Sequence, residues 1–182
     1  MSDRVHRILE SIKTNAGNDV YQNIIFTCGT LDEKATVRKQ SDYLKCMLSE
    51  LERTCNAEVF INVMKPCGYQ CISDNIIAKA KTLYMKSKDL EDFLRLLNEQ
   101  RIGGENLTIK GDIIIGIYEK CYCGLARSVK GLSPLYCNCS AGWYERLFSA
   151  IFEKPIKVKI VQTILDGSNE CVFEIRPLEW IW

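Results

Sequence analysis

Asp112-Ile-Ile-Ile-Gly-Ile-Tyr-Glu-Lys-Cys-Tyr-Cys123, with its return Leu135-Tyr-Cys-Asn-Cys139, is the stretch whose reading decides the fold. Ile113, Ile115 and Ile117 alternate with Ile114, Gly116 and Tyr118, the period of two that marks a half-buried strand. Continuing that period puts Cys121 and Cys123 on the isoleucine face. After Gly124, Gly131, Ser133 and Pro134, a second arm over 135–139 completes a β-hairpin. A register that pairs Cys123 with Cys137 also pairs Cys121 with Cys139. Opposed Cβ atoms then lie about 4.5 to 5.5 Å apart and same-face neighbours along a strand about 6.6 Å apart, so four thiols form a small rectangle. Tetrahedral zinc, with Zn–S bonds of about 2.3 Å, needs sulfurs closer than the long edge, so the strands bend or Cys67 and Cys71 contribute.

Outward from the hairpin, Ser140 is placed to cap a helix whose apolar side carries Trp143, Tyr144, Leu147, Phe148, Ile151 and Phe152. Pro155 ends it. Residues 157–165 read as a strand, Asp166-Gly-Ser-Asn169 as a turn, and Cys171, Phe173 and Ile175 as the inward face of a last strand. The order is β-β-α-β-β.

Upstream the period is helical. Val5, Ile8, Leu9 and Ile12 make a first helix over residues 3–14; Gly17 to Cys28 is a short helix or an extended connection. A long helix runs from about Asp32 to Arg53, with Asp32 and Glu33 at its positive end. Glu58 to Met64 is a strand or a buried helical turn, interrupted by Pro66 and Gly68. In Cys67-Gly-Tyr-Gln-Cys71 the thiols stack at i, i+4 if the segment is helical; if it is a loop, Ser73 caps the next helix. Two more helical stripes follow, ending at Gly103-Gly104. The expected fold is one α+β domain over 1–182, a helical layer (1–103) packed on an antiparallel module (104–182).

The 182 residues are 47% hydrophobic, enough for a proper core. Lys plus Arg is 24 against 23 Asp plus Glu, so no global field recruits nucleic acid. No apolar run approaches the roughly 18 residues of a membrane span, and the polar start lacks a secretory signal, so a cytoplasmic protein is expected. Ten cysteines in that setting point to metal or redox chemistry rather than a disulfide framework. Cys28, Cys46 and Cys55 read as packing residues. His6, the lone histidine, reads as an exposed or half-buried helix residue. Trp180 and Trp182 suggest a docked tail or a partner contact, which leaves room for a homodimer.

Lys154-Pro-Ile-Lys-Val158 and Asp166-Gly-Ser-Asn-Glu-Cys-Val-Phe-Glu-Ile175 resemble the end of the 4-vinyl reductase domain family, small ligand-binding modules related in fold to subunits of the transport-protein-particle complex. The Cys-Gly-Tyr-Gln-Cys, Cys-Tyr-Cys-Gly and Tyr-Cys-Asn-Cys-Ser-Ala-Gly-Trp motifs resemble a cysteine-rich bacterial branch of it, met beside aminothiazoline-carboxylate-hydrolase-like proteins. The resemblance implies an antiparallel sheet on helices with a small-molecule or metal pocket. Aromatic-sensing relatives use a cysteine eight residues before the position of Cys171; Thr163 stands there, so any metal must use the other cysteines.

Three functions fit. The first is a thiolate metal module, Zn²⁺ or an iron–sulfur cluster held by Cys121, Cys123, Cys137 and Cys139 with Cys67 and Cys71. The second is a cysteine-dependent enzyme, hydrolase or thiol redox, with a thiolate near Cys139 or Cys71; Arg127 and Lys130 add positive field, and no base besides His6 is available. The third is a small-molecule pocket using Tyr118, Tyr122, Arg127 and Trp143, with Phe173 on its wall, compatible with a structural metal.

Overall fold

The computed structural model describes residues 3–32 and 34–178, without the side chain of Asp3. Six helices come first: α1 (Asp3–Asn15), α2 (Asn18–Cys28), α3 (Val37–Thr54), α4 (Ala57–Cys71), α5 (Asp74–Lys86) and α6 (Leu90–Glu99). Strands β1 (Leu107–Lys110) and β2 (Ile113–Tyr118) follow, then a one-turn α7 (Gly124–Arg127), a 3-10 turn (Pro134–Cys137), α8 (Asn138–Phe152), β3 (Ile156–Gln162) and β4 (Cys171–Pro177). The fold is α+β: a four-stranded antiparallel sheet, order β1-β2-β4-β3, with helices on one side of it. Among the described residues no helix is long and apolar enough to cross a membrane. Trp180 and Trp182 lie outside the described residues.

Side-chain oxygens start the helices. Thr36, Asn56, Ser73 and Asp89 accept from the amides of Lys39, Val59, Ile76 and Asp92, satisfying donors that a helix leaves unpaired. The long third helix therefore begins at Val37 rather than Asp32, because Thr36 supplies the cap. Gly17 to Cys28 resolves as helix, and α4 runs unbroken through Pro66. Proline there removes one amide donor, but the helix is held by burial of Phe60, Val63, Met64 and Cys67 on its neighbours.

The order β-β-α-β-β is present, but its first hairpin is β1–β2, with Leu107 opposite Gly116 and Lys110 opposite Ile113. The expected cysteine hairpin does not form. Strand β2 already has β1 on one edge and β4 on the other, the latter pairing ending at Tyr118 opposite Cys171, so residues 135–139 have no free edge to join. Instead Ser133 accepts from the Leu135 amide and Pro134 opens the turn, a position proline suits because its missing N–H is not needed there.

Two apolar clusters fill the molecule. One joins α5, α6, the inner face of the sheet and α8 through Phe93, Leu97, Ile114, Tyr144, Phe148, Phe173 and Ile175. The other joins α1 to α4 with Ala126, Val129, Leu132 and Tyr136 of the segment before α8. The change of texture near residue 103 marks where strands begin, while the cores divide before α5, whose Ala80 packs with the sheet.

Cys28 and Cys46, expected as packing residues, are joined in a disulfide that ties the end of α2 to α3 across 18 residues. Loop-closure entropy assigns such a bridge about 3 kcal/mol. Replacing both by serine should lower the unfolding free energy by about that amount, read as a shift in urea midpoint that reduced wild-type protein reproduces; an unchanged midpoint would show the bridge contributes nothing.

Candidate functional site

The site is built where α4 crosses α8. A Cβ on Gly68 would lie 1.9 Å from the Cys139 carbonyl oxygen, and one on Gly142 would lie 2.2 Å from the Lys65 carbonyl oxygen. Each glycine is therefore a gap into which the other helix's backbone fits. Three residues beyond Gly68, at the end of α4, stands Cys71; three before Gly142, in the first turn of α8, stands Cys139. The close crossing puts these two residues on the wall of one cleft, near enough for each thiol to act on the other's ionisation.

The pair shares its protons unequally. The hydrogen bond from Cys139, with Arg4 and Arg7 nearby, lowers the Cys71 pKa to about 6 against the pull of burial. Cys139 is pushed well above its ordinary value, first by that hydrogen bond and then by burial. Both sulfurs lie at the N-terminal end of α8, whose dipole favours one negative charge on the pair. The opposing C-terminal end of α4 is covered by cations: Arg7 donates to the Gln70 carbonyl at 2.7 Å, and Arg146 donates to the carbonyls of Tyr69 and Ile72.

Beside this pair Arg4 donates to the Cys123 sulfur at 2.8 Å, and the Tyr136 hydroxyl is 3.3 Å from the same sulfur. Cys123 caps α7 by accepting from the Ala126 amide. A cleft of about 260 Å³ opens here, lined by Cys71, Cys123, Cys139, Arg4, Tyr136 and Ser140 on one side and by Tyr118, Tyr122, Trp143, Arg101 and the Gly103–Gly104 turn on the other. Tyr118 stacks on buried Tyr144 and meets Tyr122 edge-on, with centroids 5.5 and 5.1 Å apart; the Tyr144 hydroxyl donates to the Gly103 carbonyl at 2.6 Å.

The expected residues are thus sorted differently. Tyr118, Tyr122 and Trp143 do share a cleft; Arg127 is not on its wall, and Phe173 is fully buried beneath it. Ser140 is inside α8, which starts at Asn138. Cys137 and Cys139 do not face one way, because residues two apart on a helix point about 200° apart. Cys139 goes to Cys71, and Cys137 goes inward to Cys171. Cys67 turns into the core of α1 and α4, its thiol donating to the Val63 carbonyl at 3.3 Å and its pKa raised to about 11 by burial. His6 is exposed. Arg4 had no signal in the sequence, since a charged residue on a helix's polar face looks like any solvated one; Arg101, in the turn after α6, and Tyr136, in the 3-10 turn, are brought to the cleft by tertiary packing.

Among the described residues no three His, Cys, Asp or Glu side chains are grouped to hold one ion, and the cation set among Cys71, Cys123 and Cys139 is the Arg4 guanidinium.

A model described as a family of unknown function, DUF6144, matches residues 2–182. The chain belongs to that family. In this DUF6144 chain the matched region contains every residue of the cleft. No curated protein matches it. Among solved structures, a vinyl-4-reductase family protein from Methanocaldococcus jannaschii is similar at 14% identity and a TM-score of 0.33, over 89% of this chain and 97% of that one. It bears the name of the family that the C-terminal motifs resemble.

Proposed function

We propose that the cleft is a thiol–disulfide exchange site, with Cys71 as nucleophile and Cys139 as its partner thiol. The observation that carries this reading is Cys71 and Cys139 side by side on the wall of one cleft beside Arg4. The Cys71 thiolate attacks one sulfur of a substrate disulfide, forming a mixed disulfide and expelling a thiolate, which takes the proton of Cys139. The Cys139 thiolate then attacks the Cys71 sulfur, releasing the second substrate thiol and leaving a Cys71–Cys139 disulfide. The substrate gains two electrons and the pair loses two. A low-pKa attacking thiol and a half-buried, protonated partner divide these tasks, and the aromatic wall of Tyr118, Tyr122 and Trp143 gives a small molecule an apolar surface to lie on.

Alkylation as a function of pH tests this reading. In reduced protein Cys71 should be the fastest thiol to react with iodoacetamide at pH 7, with a midpoint near pH 6; its rate should hold above that pH and fall below it, as the thiolate takes up its proton. An ordinary thiol titrates near about 8.5, so a Cys71 midpoint there would remove the reading.

The second reading is a thiolate metal site, Zn²⁺ or iron–sulfur, supporting small-molecule binding, as the cysteine-rich 4-vinyl reductase branch suggests. Three thiols on one cleft support it, and soft thiolates select those metals. It makes the opposite prediction: near-stoichiometric zinc or iron in protein purified without oxygen, and a Cys71 protected from alkylation until a chelator removes the metal.

A further inference from the structure

We infer that the disulfide exchanged in the cleft is a small organic one bearing carboxylates, recognised by Arg4 and Arg101; the inference rests on the thiol–disulfide reading above. Of the described residues that line the cleft, two carry guanidinium groups and none carries a carboxylate. The permanent charge of its wall is positive. Arg4 is half-buried, and its side chain is aimed by the 2.8 Å hydrogen bond to the Cys123 sulfur, which the Tyr136 hydroxyl also meets at 3.3 Å. A guanidinium offers five donors in a planar fork, so one donor given to a sulfur leaves others for a carboxylate. Withdrawing a charge from water is costly unless an opposite charge meets it. An anionic ligand offsets that cost.

Arg101 stands on the other wall, beside the Gly103–Gly104 turn. It pairs with Glu105 at 3.8 Å, with the two side chains 78% and 40% exposed. Exposed pairs of that kind contribute little, so a ligand carboxylate can take the place of Glu105. On the same wall Tyr118, Tyr122 and Trp143 offer an apolar surface to the part of the molecule that joins sulfur to carboxylate. At about 260 Å³ the cleft is smaller than the roughly 300–1,000 Å³ of drug-sized sites, which suits one half of a symmetrical disulfide. During exchange the Cys71 sulfur forms one S–S bond as the substrate's own S–S bond breaks, and the negative charge passes from Cys71 to the departing sulfur. Arg4, on the wall that carries both cysteines, lies beside that charge before and after the step.

The test compares two aromatic disulfides on the reduced full chain at pH 7: dithiobis(nitrobenzoate), with one carboxylate on each half, and the uncharged dithiodipyridine. The rate followed is that of the phase removed by Cys71→Ser. Full exchange releases both halves of the reagent as thiolates and leaves the Cys71–Cys139 disulfide. In Arg4→Gln/Arg101→Gln the ratio of the carboxylate reagent's rate to the neutral reagent's should fall at least about ten-fold, the effect of one lost charge-assisted hydrogen bond. Taking the ratio removes any change in the Cys71 thiol itself. Arg127→Gln, at a residue off the cleft wall, controls for net charge and should leave the ratio unaltered. If the ratio does not fall in the double variant, the inference is overturned and the exchange reading stands. An equal fall in Arg127→Gln also overturns it, because long-range attraction would then account for the preference. If Cys71 reacts with neither reagent faster than an ordinary thiol, the exchange reading falls and this inference with it.

Discussion

Gly68→Ala should cost about 3 kcal/mol of stability, the upper end of what overpacking does, and should break the Cys71–Cys139 pair with it. The new methyl would sit 1.9 Å from the Cys139 carbonyl oxygen and 2.7 Å from the Trp143 amide nitrogen. Both obstacles are backbone, so no rotamer change relieves them and the helices must separate. Their separation opens the contact between the two cores at its centre. Gly142→Ala meets the Lys65 carbonyl oxygen at 2.2 Å on the same crossing and should behave alike. Gly124→Ala, whose Cβ meets nothing closer than Arg127 at 4.0 Å, is the control and should stay within about 0.5 kcal/mol of wild type. Urea unfolding measures the loss, and the yield of Cys71–Cys139 disulfide after mild oxidation measures the separation. A Gly68→Ala protein as stable as the control would mean that the crossing is looser than described.

Lys65→Met should cost a similar amount, about 3 kcal/mol, for an electrostatic reason. Lys65 and Glu145 join α4 to α8 through an ion pair at 2.6 Å, with the Glu145 side chain only 7% exposed and Lys65 29% exposed. The carboxylate also accepts from the Val158 amide at 3.3 Å, so the pair fastens the first strand after α8 as well as the two helices. Removing the lysine leaves a buried carboxylate with one weak backbone donor and the Tyr69 hydroxyl at 3.5 Å. Desolvation that the ammonium had offset is then uncompensated. Adding Glu145→Met to that variant should restore most of the loss, since two apolar side chains of similar length replace the pair. A double variant as unstable as the single would place the cost in packing rather than in the stranded charge. A single variant within about 0.5 kcal/mol of wild type would deny the pair any role.

Much of the fold was legible because period and capping are local. The stripe Val5, Ile8, Leu9, Ile12 is α1; the alternation from Ile113 to Tyr118 is β2; Cys171, Phe173 and Ile175 are the buried side of β4. The cysteine-rich motifs misled because their meaning is not local. Cys-X-Cys reads as one face on a strand and as opposite faces on a helix, and nothing in Tyr-Cys-Asn-Cys-Ser says which applies. That choice was made elsewhere, by β1 and β4 occupying both edges of β2.

By itself, then, the sequence determined the α+β class and most of the elements, because propensity and amphipathic period are written in neighbouring residues. The tertiary structure alone decided the partners. Cys71 meets Cys139, Cys137 meets Cys171, and Arg4 reaches Cys123 across 119 positions. The first of these follows from Gly68 and Gly142 letting two helix backbones touch. A close approach of that kind depends on both surfaces at once, so neither stretch of chain can announce it alone.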